Sequence, residues 1–304
     1  MPMTSRACPV CGRGDASRLF AESTVDPAKL DAFAFASRKM PEYMHHRLLE
    51  CTACDTLYAS PVPARAELEA AYEAAAFDSG VEAGYASRTY GRLLASVCPA
   101  LPDRAAALDI GTGDGAFLGE LLAAGFGRVA GVEPSSAPIE AADPAVRSLI
   151  VRGLFDPADH EPASYSLITC FQTMEHVDDP VHLCRGAFGL LKPGGALFLI
   201  GHDRRALSAK LLGRRSPIFD VEHLQLFSPR SARVLMERTG YERVRVEAFV
   251  NRYPLRYWAK LLPLPAAAKR STLGLLNVSG VGRLPIALPV GNMAIVGFRP
   301  GAAQ

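Results

Sequence analysis

Three glycines at alternate positions after a short apolar run constrain the fold of this chain more than any other stretch. The run occupies residues 105–108 and is followed by Asp109, and the glycines are Gly111, Gly113 and Gly115. An apolar run closed by glycines is typical of a buried parallel strand that turns sharply into a helix. Glycine permits the unusual backbone angles of such a turn and lets the main chain approach a ligand closely. The pattern therefore predicts an α/β fold with a ligand site at this turn.

A second apolar run, residues 129–132, is followed by Glu133 at the end of the expected strand. An acid at the tip of the second strand can accept hydrogen bonds from both ribose hydroxyls of a bound nucleoside. Residues 111–116 also fit the dinucleotide fingerprint, with alanine as the third small residue, so a nicotinamide cofactor is one interpretation. However, Asp109 and Asp114 would repel an anionic pyrophosphate at the helix N-terminus. The two acids instead favour a cofactor with positive charge, such as the sulfonium and ammonium groups of S-adenosylmethionine (SAM).

Several stretches resemble one family in the order that this family requires. ALDIGTGDGAFLGELL resembles the first motif of class I SAM-dependent methyltransferases, and GVEPS resembles their second. Further similarity follows in MEHVDDP, LLKPGGALFLIG and HLQLFSPRSARVLMERTGY, although Tyr165 and Ser166 stand where Phe-Asp is common. The resemblance covers roughly residues 64–250. It implies a Rossmann-like fold that binds SAM.

The pattern after residue 104 predicts the architecture of the main domain. Apolar runs alternate with helical patterns there, as a doubly wound sheet requires. Strands are expected at residues 105–110, 128–133, 148–152, 166–171, 195–201, 241–250 and 291–300, with a helix at 229–239. We therefore predict an α/β fold on a mostly parallel, seven-stranded, Rossmann-like sheet.

Two smaller units are predicted before this sheet. Residues 64–77 and 84–98 have the pattern of helices, and Pro61 and Pro63 close the segment that precedes them. The predicted organisation is a zinc-ribbon-like module at 1–63, a helical cap at 64–103, and a methyltransferase domain at 104–304 with an insertion at 251–290.

Four of the seven cysteines form two Cys-x-x-Cys pairs, which indicates a structural zinc site. The predicted ligands are Cys8, Cys11, Cys51 and Cys54. The gap between the pairs is longer than in a compact ribbon, so residues 13–50 are expected to form a hairpin or helix of their own. A redox Cys-x-x-Cys is the alternative but needs no second copy, and His45 and His46 are candidate substitute ligands. The pairs also look like those of zinc-ribbon methyltransferases from sugar, surface-glycan and specialised-metabolite pathways.

Composition limits the partners and the location. The formal charge is only +2, which argues against a broad nucleic-acid footprint. The N-terminal MPMTSRACPVCG lacks the apolar region of a signal peptide, and no apolar run approaches the ~20 residues that span a bilayer. We expect a cytoplasmic protein with reduced cysteines.

The ligand pocket is expected where the strands end. In an open α/β sheet, ligands bind at the carboxyl ends of the strands near the topological switch point. The loops at 109–115, 133–136, 153–156 and 171–176 are therefore expected to surround one pocket. The predicted cofactor-binding residues are Asp109, Gly111, Gly113, Gly115, Glu133, Asp156 and Phe171. Asp156 is alternatively a helix N-cap before Pro157.

Two histidines are candidates for the catalytic base. A methyl acceptor often has to lose a proton, and histidine suits this task because it is partly neutral near pH 7. His176 follows the fourth strand and His223 follows the fifth, while His202 is a third candidate. A structural role, in which the side chain bonds to neighbouring backbone, is the alternative for His176.

The insertion at 251–290 is the least explained segment. It is apolar, punctuated by prolines and interspersed with Lys and Arg, and it contains the only tryptophan, Trp258. A long insertion in a compact domain is usually functional. One interpretation is a peripheral contact with a membrane or a lipid-linked acceptor. The other is a lid or a homodimer contact that packs on protein.

These observations predict SAM-dependent methylation of a small molecule or of a glycan or lipid intermediate, on oxygen. An RNA methyltransferase that grips RNA with the ribbon is the alternative enzyme. Near-neutral charge and the lack of an Asn/Asp-Pro-Pro-Tyr motif argue against it. A non-catalytic SAM-binding scaffold is the third interpretation. The intact glycine loop and Glu133 argue against that one, because a decayed site need not keep them.

Overall fold

The N-terminal strands pair with one another in the computed structural model, which describes residues 3–29, 41 and 43–301. They are β1 (Met3–Thr4), β2 (Ser17–Ala21), β3 (Leu48–Cys51), β4 (Leu57–Ala59) and β5 (Val62–Pro63). β3 pairs antiparallel with both β2 and β4, and β1 pairs antiparallel with β5. The hairpin or helix expected within residues 13–50 is thus a β2–β3 pairing, and residues 30–40 and 42 of that segment lie outside the described residues.

Two helices lead from this module to the main sheet. α1 (Arg65–Glu73) is shorter than the expected 64–77, and α2 (Gly80–Val97) begins four residues before the expected 84. α2 buries residues at helical spacing, among them Tyr90, Leu94 and Val97. These side chains belong to the same hydrophobic cluster as Phe117 and Leu121. The helix therefore covers one face of the domain core.

Strands and helices alternate through the main domain. The first group is β6 (Ala106–Ile110), α3 (Ala116–Ala123), β7 (Arg128–Glu133), α4 (Ser136–Ala141), α5 (Pro144–Arg147), β8 (Ile150–Arg152) and β9 (Tyr165–Phe171). The second group is α6 (Pro180–Leu190), β10 (Leu191–His202), α7 (Leu207–Leu212), β11 (Gln225–Leu226), α8 (Pro229–Arg238), β12 (Glu242–Pro254), α9 (Leu255–Leu261), α10 (Ala266–Val278) and β13 (Pro285–Phe298).

The described part of the chain forms a seven-stranded sheet in the order β12-β13-β10-β9-β6-β7-β8. The five strands from β10 to β8 are parallel, and β13 runs antiparallel to both of its neighbours. This confirms the predicted mostly parallel, seven-stranded, Rossmann-like sheet. Because β6 lies between β7 and β9, the switch point is at its carboxyl end, where Asp109 is located.

The sheet is buried on both faces. All five residues of β6 are buried, as expected for a central parallel strand. Alternate residues of the strands point to opposite faces. Leu167 and Phe198 pack with the α2 and α3 side, whereas Ile168 and Leu197 share a cluster with residues of α6 and α8.

The last two strands extend far into the expected insertion. The first of them was expected to end at residue 250 and the second to begin at residue 291. Their pairing instead runs from Glu242 opposite Phe298 to Pro254 opposite Pro285. The prolines and polar residues at these ends weaken the local strand signal, while the pairing itself depends on residues distant in sequence. Only α9, α10 and a short 3₁₀ turn at Val281–Arg283 separate the two strands. We call this unit, residues 255–284, the tip unit.

The N-terminal module is joined to the main domain through a shared sheet. β11 pairs with β4 and becomes the outer strand of a four-stranded sheet, β11-β4-β3-β2. Arg204, at 7% exposure, forms a salt bridge with the buried Glu50 at 2.5 Å and another with Asp55. Within the described part of the chain, none of the helices combines the length and the apolar character that a bilayer crossing requires.

Candidate active site

The glycine loop after β6 adopts the backbone that the sequence predicts. Gly111, Gly113 and Gly115 have φ angles of +72°, +58° and +71°, a region that side chains rarely tolerate. A Cβ atom at Gly111 would lie 2.4 Å from the hydroxyl of Thr173, in the loop after β9. The amides of Gly111 and Thr112 both donate to the Val132 carbonyl, at 2.9 and 3.1 Å. The loop is thereby pinned against the ends of β7 and β9.

Glu133, at the end of β7, faces this loop. Its two carboxylate oxygens accept hydrogen bonds from the amides of Gly113 and Ser135, at 2.9 and 3.0 Å. The side chain is almost fully buried, and burial raises the pKa of the carboxyl group above its ordinary value. A buried acceptor at this point has the position expected for binding ribose hydroxyls.

Asp109 lies at the end of β6 and is buried. Its carboxylate accepts a hydrogen bond from the hydroxyl of Thr169, on β9, at 2.6 Å. Burial raises the pKa of Asp109 to about 6, and the Thr169 bond opposes part of that rise. A nearby cation would favour the ionised form of such a carboxyl group.

Two cavities are lined in part by the glycine loop. The first, of about 380 Å³, contains Glu133, and we call it the Glu133 cavity. The second, of about 210 Å³, contains His223 and Asp109, and we call it the His223 cavity. Both are lined by Gly111, Gly113, Gln172, Thr173, His176 and Glu222, among others. Ligands in the two cavities can therefore meet at this shared wall.

The three candidate histidines all line the His223 cavity. The ring centroids of His176 and His223 are 4.9 Å apart, and those of His202 and His223 are 5.5 Å apart. The Nδ1 atom of His176 lies 3.7 Å from a carboxylate oxygen of Glu222 and 3.3 Å from the hydroxyl of Tyr72. Three imidazoles and the carboxylate of Glu222 thus lie close together in this cavity.

His223 has a defined tautomer. Its Nδ1 atom lies 2.8 Å from the backbone carbonyl of Ile218, and only a protonated nitrogen can donate to a carbonyl oxygen. Burial, followed by the proximity of His176, lowers the pKa of His223 below its usual 6.5. The neutral ring therefore carries its lone pair on Nε2, and this nitrogen can accept a proton.

His202 is held by the fully buried Glu175. A carboxylate oxygen of Glu175 accepts the backbone N–H of His202 at 2.7 Å and lies 3.3 Å from its Nδ1 atom. Burial opposes ionisation of Glu175, but this contact with His202 and the other nearby imidazoles lower its pKa to about 2. An ionised carboxylate at this place orients the imidazole of His202.

Of the other two predicted cofactor-binding residues, Phe171 lines a cavity, whereas Asp156 has a structural contact. Phe171 lines the His223 cavity, and its ring packs 4.6 Å from that of Phe117. Asp156 instead caps a short 3₁₀ helix by accepting the amide of Ala158 at 2.9 Å. Its neighbours Leu154 and Phe155 line the Glu133 cavity.

The four predicted zinc ligands converge at the base of the N-terminal module. The sulfur atoms of Cys8 and Cys54 are 3.5 Å apart, as are those of Cys11 and Cys51, and all four lie within 4.8 Å of one another. Four sulfurs around a tetrahedral zinc ion, with Zn–S distances of about 2.3 Å, lie about 3.8 Å apart. The cluster therefore fits zinc. Neither His45 nor His46 belongs to this group of ligand atoms among the described residues. The Nδ1 atom of His45 instead lies 2.8 Å from the His46 carbonyl.

Comparison with known families identifies the family of the main domain. A family model described as a methyltransferase domain matches residues 83–246, more than half of the chain. The chain belongs to this methyltransferase family. The methyltransferase has the class I SAM-dependent domain that its sequence motifs predict.

Relatives of the methyltransferase match it over shorter stretches. The ubiquinone biosynthesis O-methyltransferase of Pseudomonas entomophila (strain L48) is 29% identical over 117 residues, which are 35% of this chain and 49% of that protein. The ubiquinone biosynthesis O-methyltransferase of Xanthomonas campestris pv. campestris (strain B100) is 45% identical over 49 residues, 16% of this chain and 20% of that protein. The chain thus spans about half, or less, of these curated relatives.

A solved structure shares the fold of the methyltransferase. This protein, from Bacillus halodurans C-125, aligns with a TM-score of 0.50 at 16% identity, over 70% of this chain and 99% of that chain. At this identity the likeness shows the fold alone.

Sequence reasoning missed two residues of the methyltransferase that lie beside the histidines. Glu222 pairs with His176, and the hydroxyl of Tyr72 reaches both His176 and the Glu222 carbonyl, at 3.3 Å each. A signal for Glu222 was present, because the chain contains the dipeptide Glu-His twice, at residues 175–176 and 222–223. The sequence around Tyr72 contains no such signal, because a tyrosine at helical spacing is typical of a core residue.

Proposed function

We propose that this methyltransferase transfers the methyl group of SAM to an oxygen atom of a small-molecule acceptor. The observation that carries the proposal is the shared wall between the Glu133 cavity and the His223 cavity. Methyl transfer requires the acceptor oxygen, the methyl carbon and the leaving sulfur in line. Two cavities that meet at one wall support this arrangement. The O-methyltransferase names of the curated relatives also favour oxygen as the acceptor atom.

The cofactor roles follow from the chemistry of the residues present. Glu133 is proposed to accept hydrogen bonds from the ribose hydroxyls, and Leu154 and Phe155 offer an apolar wall for the adenine. Asp109 and the glycine loop are proposed to hold the methionine part, whose ammonium and sulfonium charges suit a buried carboxylate. When bound, SAM supplies an electrophilic methyl group. Asp156 contributes by fixing the 3₁₀ helix that follows Leu154 and Phe155.

His223 is proposed as the base. As the new oxygen–carbon bond forms and the carbon–sulfur bond breaks, the acceptor hydroxyl gives its proton to Nε2 of His223. The Ile218 carbonyl holds the opposite ring nitrogen in its protonated form. His176, paired with Glu222, is proposed to bind the acceptor beside it. These three residues could also hold a metal ion, since their ligand atoms lie within 4.8 Å of one another.

The cluster of Cys8, Cys11, Cys51 and Cys54 is proposed to hold one structural zinc ion. Four protein sulfurs fill a tetrahedral site and leave no open position for chemistry. The metal would instead stabilise a module that is too small to fold through core burial alone.

Calorimetric titration with SAM, S-adenosylhomocysteine and NADH tests the cofactor assignment. We expect binding of the first two and none of NADH. Glu133→Ala should weaken SAM binding by about 100-fold or more, because two hydrogen bonds to a charged group are lost. Glu140→Ala removes an exposed carboxylate from the next helix, α4, and should leave the affinity unchanged. Binding of NADH, or equal effects of both variants, would overturn the assignment.

Acceptor screening with methyl-labelled SAM tests the reaction. Phenols, carboxylic acids, sugars and amines should be tested separately, and the label should appear on an oxygen. Label found only on nitrogen or carbon would refute O-methylation but not methyl transfer. SAM binding without transfer to any acceptor class would favour the scaffold interpretation.

A further inference from the structure

The tip unit and its flanks carry charge of one sign. Residues 251–290 contain six Lys and Arg residues and neither Asp nor Glu. The six cations are Arg252, Arg256, Lys260, Lys269, Arg270 and Arg283. Since the whole chain has a formal charge of only +2, the rest of it is net acidic. The excess of positive charge is therefore concentrated in this segment of the chain.

The helix α10 within this unit has an inverted arrangement. Its buried residue is Lys269, which donates a hydrogen bond to the Lys260 carbonyl at 2.9 Å. Its apolar residues Leu275 and Val278 are 71% and 90% exposed. A helix in water normally buries its leucines and exposes its lysines. The outer face of α10 therefore suits an apolar environment.

Further exposed apolar side chains surround α10. They are Leu262, Leu264, Val281 and Leu284, each between 37% and 54% exposed. Together with Leu275 and Val278 they form what we call the tip surface. Arg270 and Arg283 are exposed beside it, and no carboxylate of the described residues forms an ion pair with either. The tip surface thus combines aliphatic side chains with two arginines that pair with no carboxylate of the described residues.

A second segment repeats this chemistry next to β13. In α7, Leu207 and Leu211 are 70% and 77% exposed, and Arg214 and Arg215 follow on the surface. The helix contacts β13, since the hydroxyl of Ser208 donates to the Val290 carbonyl at 2.9 Å. Residues 204–219 contain no acidic residue. Two stretches distant in sequence therefore expose leucines beside cations around one strand.

We propose that the tip surface docks on an anionic lipid bilayer, with α10 lying in the headgroup region. Helices that bind there insert apolar side chains and place cations against anionic headgroups. A second copy of this face would bring no acidic residue to neutralise Arg270 and Arg283, because residues 251–290 contain neither Asp nor Glu. An anionic bilayer satisfies both the exposed leucines and the positive charge.

The docking would place the bilayer close to the acceptor site. The inner side of the tip unit lines the His223 cavity with Tyr257, Trp258 and Leu261. An acceptor dissolved in the bilayer would thus be presented beside the cavity. This consequence rests on the proposed function, whereas the docking itself does not.

Vesicle flotation of the full chain tests the docking without any methyl transfer. Wild-type protein should float with vesicles of phosphatidylcholine and phosphatidylglycerol in equal parts, and should remain unbound with phosphatidylcholine alone. The double variant Leu275→Asp/Val278→Asp, and separately Arg270→Glu, should weaken binding by roughly tenfold or more. The matched control is Val151→Asp, which changes a 61% exposed residue on β8 at the opposite edge of the sheet and should bind like wild type.

Circular dichroism and SAM titration establish that each variant is folded. The proposal is overturned when wild type fails to bind anionic vesicles, or when it binds neutral vesicles equally well. Equal binding by the double variant and wild type also overturns it. A dimer seen by sedimentation velocity that the double variant dissolves, without vesicle binding, would assign the face to a second copy instead.

Discussion

One hydrogen bond sets the chemistry of His223. Its Nδ1–H group donates to the Ile218 carbonyl, so Nε2 carries the lone pair. We expect His223→Gln to lower kcat by about 100- to 10,000-fold, the usual contribution of a general base, while SAM affinity stays near that of wild type. The readout is label transfer at saturating SAM beside calorimetric affinity. His160→Gln changes a histidine that contacts Tyr165 outside both cavities and should retain kcat.

The pH profile gives a second check on His223. A base acts in its neutral form, which exists above its pKa. Because burial lowers the pKa of His223 below 6.5, we expect kcat/KM to stay level as the pH falls from 8 to 6.5 and to decline only below it. A decline that begins above pH 7 would assign the base to another group.

The raised pKa of Asp109 predicts that cofactor binding depends on pH. Its pKa of about 6 reflects burial, and the cationic methionine part of SAM favours the ionised form. SAM affinity should therefore be constant above pH 7 and weaken by about tenfold per pH unit well below pH 6. Calorimetry from pH 5 to 8 measures this. In Asp109→Asn the affinity should be lower and the slope should disappear, so a slope that persists would contradict the assignment.

The same raised pKa affects stability without cofactor. The folded state holds the Asp109 proton up to about pH 6, whereas the unfolded chain loses it near 3.8. The folded state thus binds more protons between these values, and its free energy of unfolding falls as the pH rises through them. This contribution is opposite in sign to that of a salt-bridged carboxylate.

The sequence predicted the backbone of the glycine loop and the position of Glu133 because the local signals there are strong. Glycines at fixed positions and an acid at a strand end predicted the loop and Glu133 without tertiary information. Glu222 and Tyr72 escaped because their role comes from packing between segments distant in sequence. Tyr72 lies 104 residues from His176, and no periodicity reports such a contact.

At the scale of elements, we expect the N-terminal module to depend on its cysteine cluster for stability. We expect one zinc ion per chain by elemental analysis. Cys51→Ser should lose the metal and lower the melting temperature, because metal binding contributes directly to the stability of small domains. Cys98→Ser changes a buried cysteine outside the cluster and should retain the metal. Zinc retained in Cys51→Ser would instead locate it at His176, Glu222 and His223.

Loss of the metal should also disturb the positions of His176 and His223. β11, at Gln225–Leu226, pairs with β4 of the N-terminal module and begins two residues after His223. The Gln225 side chain donates to the Met174 and Val177 carbonyls, at 2.7 and 2.8 Å, on either side of His176. The module therefore supports both catalytic candidates, which argues for more than a docking role.

The strands show where sequence reasoning ends. The five parallel strands were predicted because each is a compact apolar run between glycines or helices. β11 was missed since two residues carry no periodicity, and its partner β4 lies about 170 residues earlier in the chain. The full length of β12 and β13 was missed for a related reason. Their outer halves are stabilised by pairing with each other, although Pro254, Pro285 and Pro289 weaken the local signal.

At the scale of the molecule, several separate parts of the chain meet at the His223 cavity. The sheet supplies Asp109 and Phe171, the segment before β11 supplies His223, and the tip unit supplies Tyr257 and Trp258. The Glu133 cavity receives nothing from the tip unit. Cofactor binding and acceptor binding should therefore be separable by changes in the tip unit.

Excision of the tip unit tests this separation. Pro254 and Pro285 lie opposite each other in the β12–β13 pairing, so a two-residue Asn-Gly turn can replace residues 255–284. The shortened protein should bind SAM like wild type, because Glu133 and the glycine loop remain. It should lose methyl transfer, because the walls formed by Tyr257 and Trp258 are gone. Calorimetry and label transfer measure the two effects.

The double variant Leu275→Asp/Val278→Asp is the matched comparison for this excision. It alters the outer face of the tip unit and leaves the inner wall, with Trp258 donating to the Ile286 carbonyl at 2.9 Å, intact. With a water-soluble acceptor it should therefore retain transfer, while the excised protein does not. Transfer at the wild-type rate by the excised protein would mean that the inner wall does not bind the acceptor. Loss of transfer in both would mean that the outer face supports the cavity through packing, since no bilayer is present in that assay.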